Sequence, residues 1–307
     1  MDSKTYNKQI RSVTAFGTID KDRNPLSVLI IGNGFDLDLG MHTSYRDFAF
    51  SKFWPWEDPH DNGIKYYLSN RRNIGSWFDL EKELANYAQY SIANKVSSEY
   101  DLESDAHALK GLAQQLIKYL NKEQNESLIT NNNEASGILN SFVKKENYFI
   151  HSFNYTDIVE ISNKLGIHLN RHKVEYIHGT IANNDIILGT GDNTNLTEKY
   201  DFLYKTFNKD YSSNNLAESL DYAQEITIFG HSLGENDFDY FKPFFQKISQ
   251  NVGVNYNKIT NERLKLTIYT KDEESEIAIK RQLRKLTDNH LQGIYANCDF
   301  KIEYTNL

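Results

Sequence analysis

Four short polar turns, each closing an apolar stretch, carry the residues best suited to chemistry in this chain. The first is Gly32-Asn33-Gly34-Phe35-Asp36, after Leu26-Ser-Val-Leu-Ile-Ile31. Its glycines let the backbone turn sharply and bring N–H groups close to a pyrophosphate. Asp36 is then placed to accept hydrogen bonds from a ribose. The third glycine of the dinucleotide fingerprint is missing, since Leu37 follows Asp36, and a plain tight turn would use the same two glycines. The second turn, Ser152-Phe153-Asn154-Tyr155-Thr156-Asp157, presents an amide able to hold a water and a ribose hydroxyl together. Asn154 reads equally as an Asx turn or a helix cap. The third, Tyr176-Ile177-His178-Gly179, sets an imidazole at a strand end, where it titrates in the range a general base needs. A packed structural histidine is the competing reading. In the fourth, Phe229-Gly230-His231-Ser232-Leu233-Gly234-Glu235-Asn236-Asp237, the candidate cofactor contacts are Gly230, His231, Ser232 and Asp237.

Such turns act together only if a sheet brings them to one edge. Leu26 to Ile31 lacks polar alternation, as in a strand buried on both faces of a parallel sheet. Further strands are predicted at 148–153, 174–177, 186–188, 226–229, 264–269 and 300–304. A helix is predicted at 273–286, with Ile277, Ile279, Leu283 and Leu286 on its apolar side. Residues 45–143 read as a helical insertion after the first strand. Trp77, Leu80, Leu84 and Ala88, then Leu109, Leu112, Leu116, Tyr119 and Leu120, recur there at helical spacing. Residues 121–136 read as a surface loop. Strands alternating with helices predict an α/β fold, a Rossmann-like three-layer parallel sheet. Ligands of such sheets sit beyond the carboxyl ends of the strands. Residues 1–25 are expected to form an arm, and 26–307 one nucleotide-binding domain.

The bulk numbers bound the function. With 39% hydrophobic and 25% charged residues, the 307-residue chain is globular in composition. A formal charge of −8 disfavours a nucleic-acid partner. The single cysteine, Cys298, excludes an intrachain disulfide framework and any multi-cysteine zinc site, and no metal is expected. The basic run Lys280 to Lys285 reads as a solvated helix face. Residues 1–25 lack the apolar core of a secretion signal, and no apolar run reaches membrane-spanning length. The expectation is a cytoplasmic protein with no membrane partner; a homo-oligomer and an unidentified phage trigger are left open.

Taken in order, a Gly-rich first loop, an Asn loop after a strand, a His-Gly pair and a Gly-x-Ser loop resemble sirtuin-like (DHS-like) nucleotide-binding domains. More specifically, Leu-Ile-Ile-Gly-Asn-Gly-Phe-Asp-Leu-Asp-Leu-Gly with Thr43-Ser44-Tyr45, then Trp77-Phe-Asp-Leu-Glu81, then Gly-His-Ser-Leu-Gly-Glu-Asn-Asp, resemble the AbiH family of phage abortive-infection proteins. That likeness runs over roughly residues 27–245. The AbiH resemblance implies a role in bacterial antiviral defence. The sirtuin-like resemblance implies an NAD site. It also implies hydrolysis of NAD, with the loop Asn and the His of the His-Gly pair as catalytic residues, here Asn154 and His178. A water oriented by Asn154 and deprotonated by His178 would attack the ribose carbon. Gly32 to Gly34 would hold the pyrophosphate and Gly230 to Ser232 the adenosine side. Glu81, on a helical stripe with Trp77, Ala85 and Ala88, is a further candidate that would close the site from the insertion. The sequence has Phe153 and Thr156 where the sirtuin pattern has Gln and Asp. It also lacks the zinc cysteines, so peptide deacetylation is not expected.

Three other readings compete. Gly230-His231-Ser232-Leu233-Gly234 fits a nucleophile elbow, with Asp272 and His290 to complete a triad. Asp36/Asp38 and Asp237/Asp239 form two D-x-D pairs that could gather Mg²⁺ for phosphodiester cleavage. A nucleotide-sensing module would use the same pocket without turnover.

Overall fold

The computed structural model describes residues 26–56, 63–74, 78–93, 99–250 and 263–305. The expected N-terminal arm, residues 1–25, and Trp77 lie outside them. After β1 (Leu26–Ile31) comes a short helix, α1 (Asn33–Asp38), then α2 (Tyr45–Ala49), α3 (Ile64–Arg71), α4 (Leu80–Ala93) and α5 (Glu99–Glu126). α6 (Glu134–Phe142) leads into β2 (Tyr148–Ser152), α7 (Ile158–Lys164) and β3 (Val174–Tyr176). Two 3₁₀ turns, Glu198–Leu203 and Lys205–Phe207, precede α8 (Leu216–Tyr222) and β4 (Ala223–Phe229). The chain continues through α9 (Phe238–Gln250), β5 (Leu264–Thr270), α10 (Glu273–Leu286), α11 (Leu291–Asn297) and β6 (Cys298–Tyr304).

All six strands pair in parallel, in the order β3-β2-β1-β4-β5-β6. This is the order of dinucleotide-binding sheets, and the chain reverses direction across the sheet between β1 and β4, the topological switch point. From Val28 to Ile31 β1 is apolar because helices cover both its faces. Val28 and Ile30 pack with Leu220 of α8, Phe245 of α9 and Leu283 of α10. Leu29 and Ile31 pack with Leu139 of α6 and Ile161 of α7 on the other side. The fold is thus α/β and Rossmann-like. Local signals agree with it: Asp272 caps α10 by accepting from Ser275 N–H, with acidic residues in the first turn and basic ones in the last.

Helices α2 to α5 build a separate core from Phe48, Leu84, Leu112, Leu116 and Tyr119. Tyr155, Ile186, Leu188 and Leu203 belong to that core too, so the insertion packs directly against the loops at the edge of the sheet. This corrects the expected strand at 186–188. Ile186 and Leu188 are apolar because they cover the insertion, and the segment is irregular. The expected loop at 121–136 is also shorter. α5 continues to Glu126, with Asn121 Nδ2 bonded back to Ile117 O, and Asn133 already caps α6. Within α10, Ile279, Leu283 and Leu286 are buried, whereas Ile277 is 44% exposed. Among the described residues no helix is long and apolar enough to cross a membrane.

Candidate active site

The four polar turns meet along one rim, at the carboxyl ends of the strands. Gly32 N–H donates to Phe229 O at 2.9 Å and Gly34 N–H to Gly230 O at 2.9 Å. A Cβ on Gly32 would lie 2.5 Å from His231 Cα, and one on Gly34 would lie 2.6 Å from Gly230 Cα. The turns after β1 and β4 therefore interlock backbone to backbone, an approach that only glycine permits. Asn154 ties the second turn to the first: its Nδ2 donates to Gly32 O at 3.1 Å and to Asp36 Oδ1 at 2.9 Å. Thr156 Oγ1 donates to Asp36 Oδ2 at 2.8 Å. The Phe153 ring joins the remaining two turns, 5.3 Å from His178 and 4.4 Å from His231.

In this geometry several of the expected residues are bonded to one another. The N–H groups of Gly32 and Gly34 close the rim, and both amide hydrogens of Asn154 hold the first turn. Asp36 is buried, and burial pushes its carboxyl up to about 6 against the opposing hydrogen bonds of Thr156 and Asn154.

Beside the rim lies a buried cluster of charges. Lys205, 3% exposed, places Nζ 3.0 Å from Glu81 Oε2 and 3.2 Å from Asp237 Oδ1. The two carboxylates are thus no farther apart than those distances laid end to end. His178 Nε2 is 3.3 Å from Asp237 Oδ1 and 3.3 Å from Lys205 Nζ. His231 Nδ1 accepts from Leu233 N–H at 3.0 Å, so its proton sits on Nε2, 3.2 Å from Asp237 Oδ2. Tyr155 OH is 3.2 Å from Glu81 Oε1 and 3.0 Å from Ile187 O, with Tyr45 OH 3.4 Å away.

These neighbours split the proton affinities of the two carboxyls. Burial raises Glu81 to about 7, with Lys205 opposing and Asp237 adding to the rise. Burial also works against ionisation of Asp237, but Lys205 and His178 outweigh it and hold that carboxyl well below its usual range. Lys205 stays an ammonium because Asp237 and Glu81 overcome its desolvation. His178 is lowered to about 4, first by burial and then by the Lys205 charge, which keeps it neutral.

Sequence reasoning singled out Glu81, His178, His231 and Asp237 but missed Lys205 and Tyr155. Lys205 stands in Phe202-Leu203-Tyr204-Lys205-Thr206, an ordinary surface pattern. It is drawn inside because Thr190 N–H bonds to Leu203 O and Lys205 N–H to Thr190 O.

The rival constellations do not assemble. Asp272 caps the start of α10, whereas His290 lies past its other end, bonded to Thr287 O. A helix of 14 residues is about 21 Å long, which keeps the triad partners of Ser232 apart. Asp38 Oδ2 accepts from Ala135 N–H at the start of α6, and Asp239 is exposed. Among the described residues no group of three or more His, Cys, Asp or Glu side chains could hold a metal ion.

Sheet order, interlocked turns and clustered acid–base groups define a Rossmann-like α/β protein with its candidate site at the switch point. The family described as bacteriophage abortive infection AbiH matches residues 28–258, a stretch that holds most of β1, the insertion, all four turns and the whole cluster. The chain belongs to that family, which points to a part in abortive infection against phage. No curated protein and no solved structure matches the chain.

Proposed function

We propose that this protein serves abortive infection by hydrolysing the N-glycosidic bond of an NAD-type nucleotide at the Glu81–Lys205–Asp237 cluster. The observation that carries the reading is the pair of carboxyls, joined through one lysine, whose environments drive their proton affinities apart. Such a split assigns acid–base roles. Glu81, poised near neutrality, takes a proton from the attacking water. Asp237, held ionised, faces the positive charge that grows on the ribose as the C–N bond breaks. The bond's electron pair goes to the pyridinium nitrogen, so nicotinamide leaves neutral and needs no acid. His178 and His231 fix Asp237, and Asn154 fixes the first turn; all three are positioning residues in this scheme. Glu81 and Asp237 keep 10% and 15% side-chain exposure, so a substrate would meet them only at that remaining surface. The pyrophosphate half of that substrate fits less readily. The Gly32 and Gly34 donors are engaged.

A second reading, a nucleotide sensor without turnover, is favoured by the way the cluster's groups already satisfy one another, His178 and His231 on Asp237 and Tyr155 on Glu81. Nicotinamide release from NAD, measured beside calorimetric titration with NAD and ADP-ribose, separates the two. Glu81→Gln lowers release by roughly 100- to 10,000-fold without unfolding the protein, and the wild-type rate climbs through pH about 7 as Glu81 loses its proton. Binding without release assigns the sensor; full release by Glu81→Gln removes Glu81 from the chemistry.

A further inference from the structure

The insertion carries a second concavity that the cluster does not use. A cleft of about 720 Å³ opens between α2 with its following turn and the C-terminal part of α5, lined in part by Arg46, Phe50, Lys52, Phe53, Tyr119 and Lys122. Its volume falls in the range of small-molecule sites. The two carboxylates in the lining are already engaged. Asp47 closes a capping box with Ser44, and Glu123 pairs with Lys122. Two cations also lie over an aromatic face: the guanidinium of Arg46 is 5.0 Å and that of Arg72 5.9 Å from the Phe50 ring centre. Lys52 Nζ is 5.6 Å from that of Phe53. Phe50 is 53% exposed. On a chain of formal charge −8, three cations against two carboxylates make this wall less acidic than the chain as a whole, and one of its rings, Phe50, is accessible.

We propose that this cleft binds a nucleoside phosphate, with the base against Phe50 or Phe53 and the phosphates against Arg46 and Lys52. Rings supply stacking without hydrogen-bond readout, and guanidinium and ammonium groups supply the phosphate contacts. The cleft is distinct from the acid–base cluster, yet one segment serves both. His42 and Arg46 line the cleft, while between them Thr43 Oγ1 donates to Asn33 Oδ1 at 2.8 Å and Tyr45 reaches Tyr155, the neighbour of Glu81. Tyr119, in the cleft wall, bonds to His42 O. A ligand settling here bears on the segment that steadies both the glycine turn and Glu81.

The test is calorimetric titration of the full chain with ADP and, separately, with inorganic pyrophosphate. The readout is binding and not nicotinamide release, so it does not depend on the proposed chemistry. Lys52→Glu, an exposed change that leaves the fold alone, weakens ADP binding by roughly tenfold, and added salt weakens it further. Pyrophosphate, lacking a ring, binds more weakly than ADP. Absence of ADP binding, or identical binding by Lys52→Glu, overturns the site. Pyrophosphate binding as tight as that of ADP overturns the nucleoside half of the proposal.

Discussion

Asp36 and Glu81 are both acids that the fold has removed from water, and both keep their protons to unusually high pH. Asp36 moves from 3.8 to about 6. Between those values the unfolded chain has released its proton while the folded chain still holds it. Stability on this account is complete below pH 3.8 and drains away as pH climbs through about 6. The full loss is about 3 kcal/mol. Asp36→Asn removes the titration. Its melting temperature relative to wild type should rise from pH 4 to pH 6 and level off above, in thermal unfolding across pH 4–8; a relative fall over that window contradicts the account. At this scale the legible residues were those at strand ends, where a polar side chain after an apolar run is conspicuous. Lys205 was not legible, because its burial depends on Thr190 and Leu203 gripping its segment. Nor was the task of Asn154, which depends on where Asp36 and Gly32 O arrive in space.

Among elements, those with strong local periodicity were readable. β1 and α10 have their expected bounds, and β2 differs only at its end. The segment 186–188 imitates a strand because burial against the insertion selects the same apolar residues as burial in a sheet. The end of α5 imitates a loop because its last turns are rich in Asn, Lys and Glu, while the stripe through Leu112, Leu116 and Tyr119 keeps the helix in place. One element contact discriminates between functions. Asp38 accepts from Ala135 N–H at 2.7 Å, across 97 residues of sequence, and so completes the start of α6. Asp38→Ala should cost about 1–2 kcal/mol, as loss of a helix cap does, and leave nicotinamide release intact. Denaturant melts paired with the release assay check it. Abolished release at unchanged stability would put Asp38 in the chemistry and not merely in the cap.

For the molecule as a whole, the alternation of strands and helices announced a parallel sheet, but not the strand order. That order rests on pairings between residues as distant as Ile31 and Phe229, which no local pattern encodes. It nevertheless decides where function can lie, because it puts the turns after β1 and β4 side by side under the insertion. A nucleotide bound there touches several elements at once and stabilises the entire fold. NAD at 100 times its dissociation constant should add about 2.7 kcal/mol, visible as an upward shift in melting temperature. An unchanged melting point at saturating NAD argues against the nucleotide.

The contact between the glycine turns also has a kinetic meaning. A phosphate that takes the N–H donors of Gly32 and Gly34 must first displace Phe229 O and Gly230 O, so entry cannot outrun the spontaneous parting of the two loops. Stopped-flow traces would then flatten to a ceiling at high nucleotide instead of accelerating in proportion, and whatever loosens that seam would set the tempo of the response.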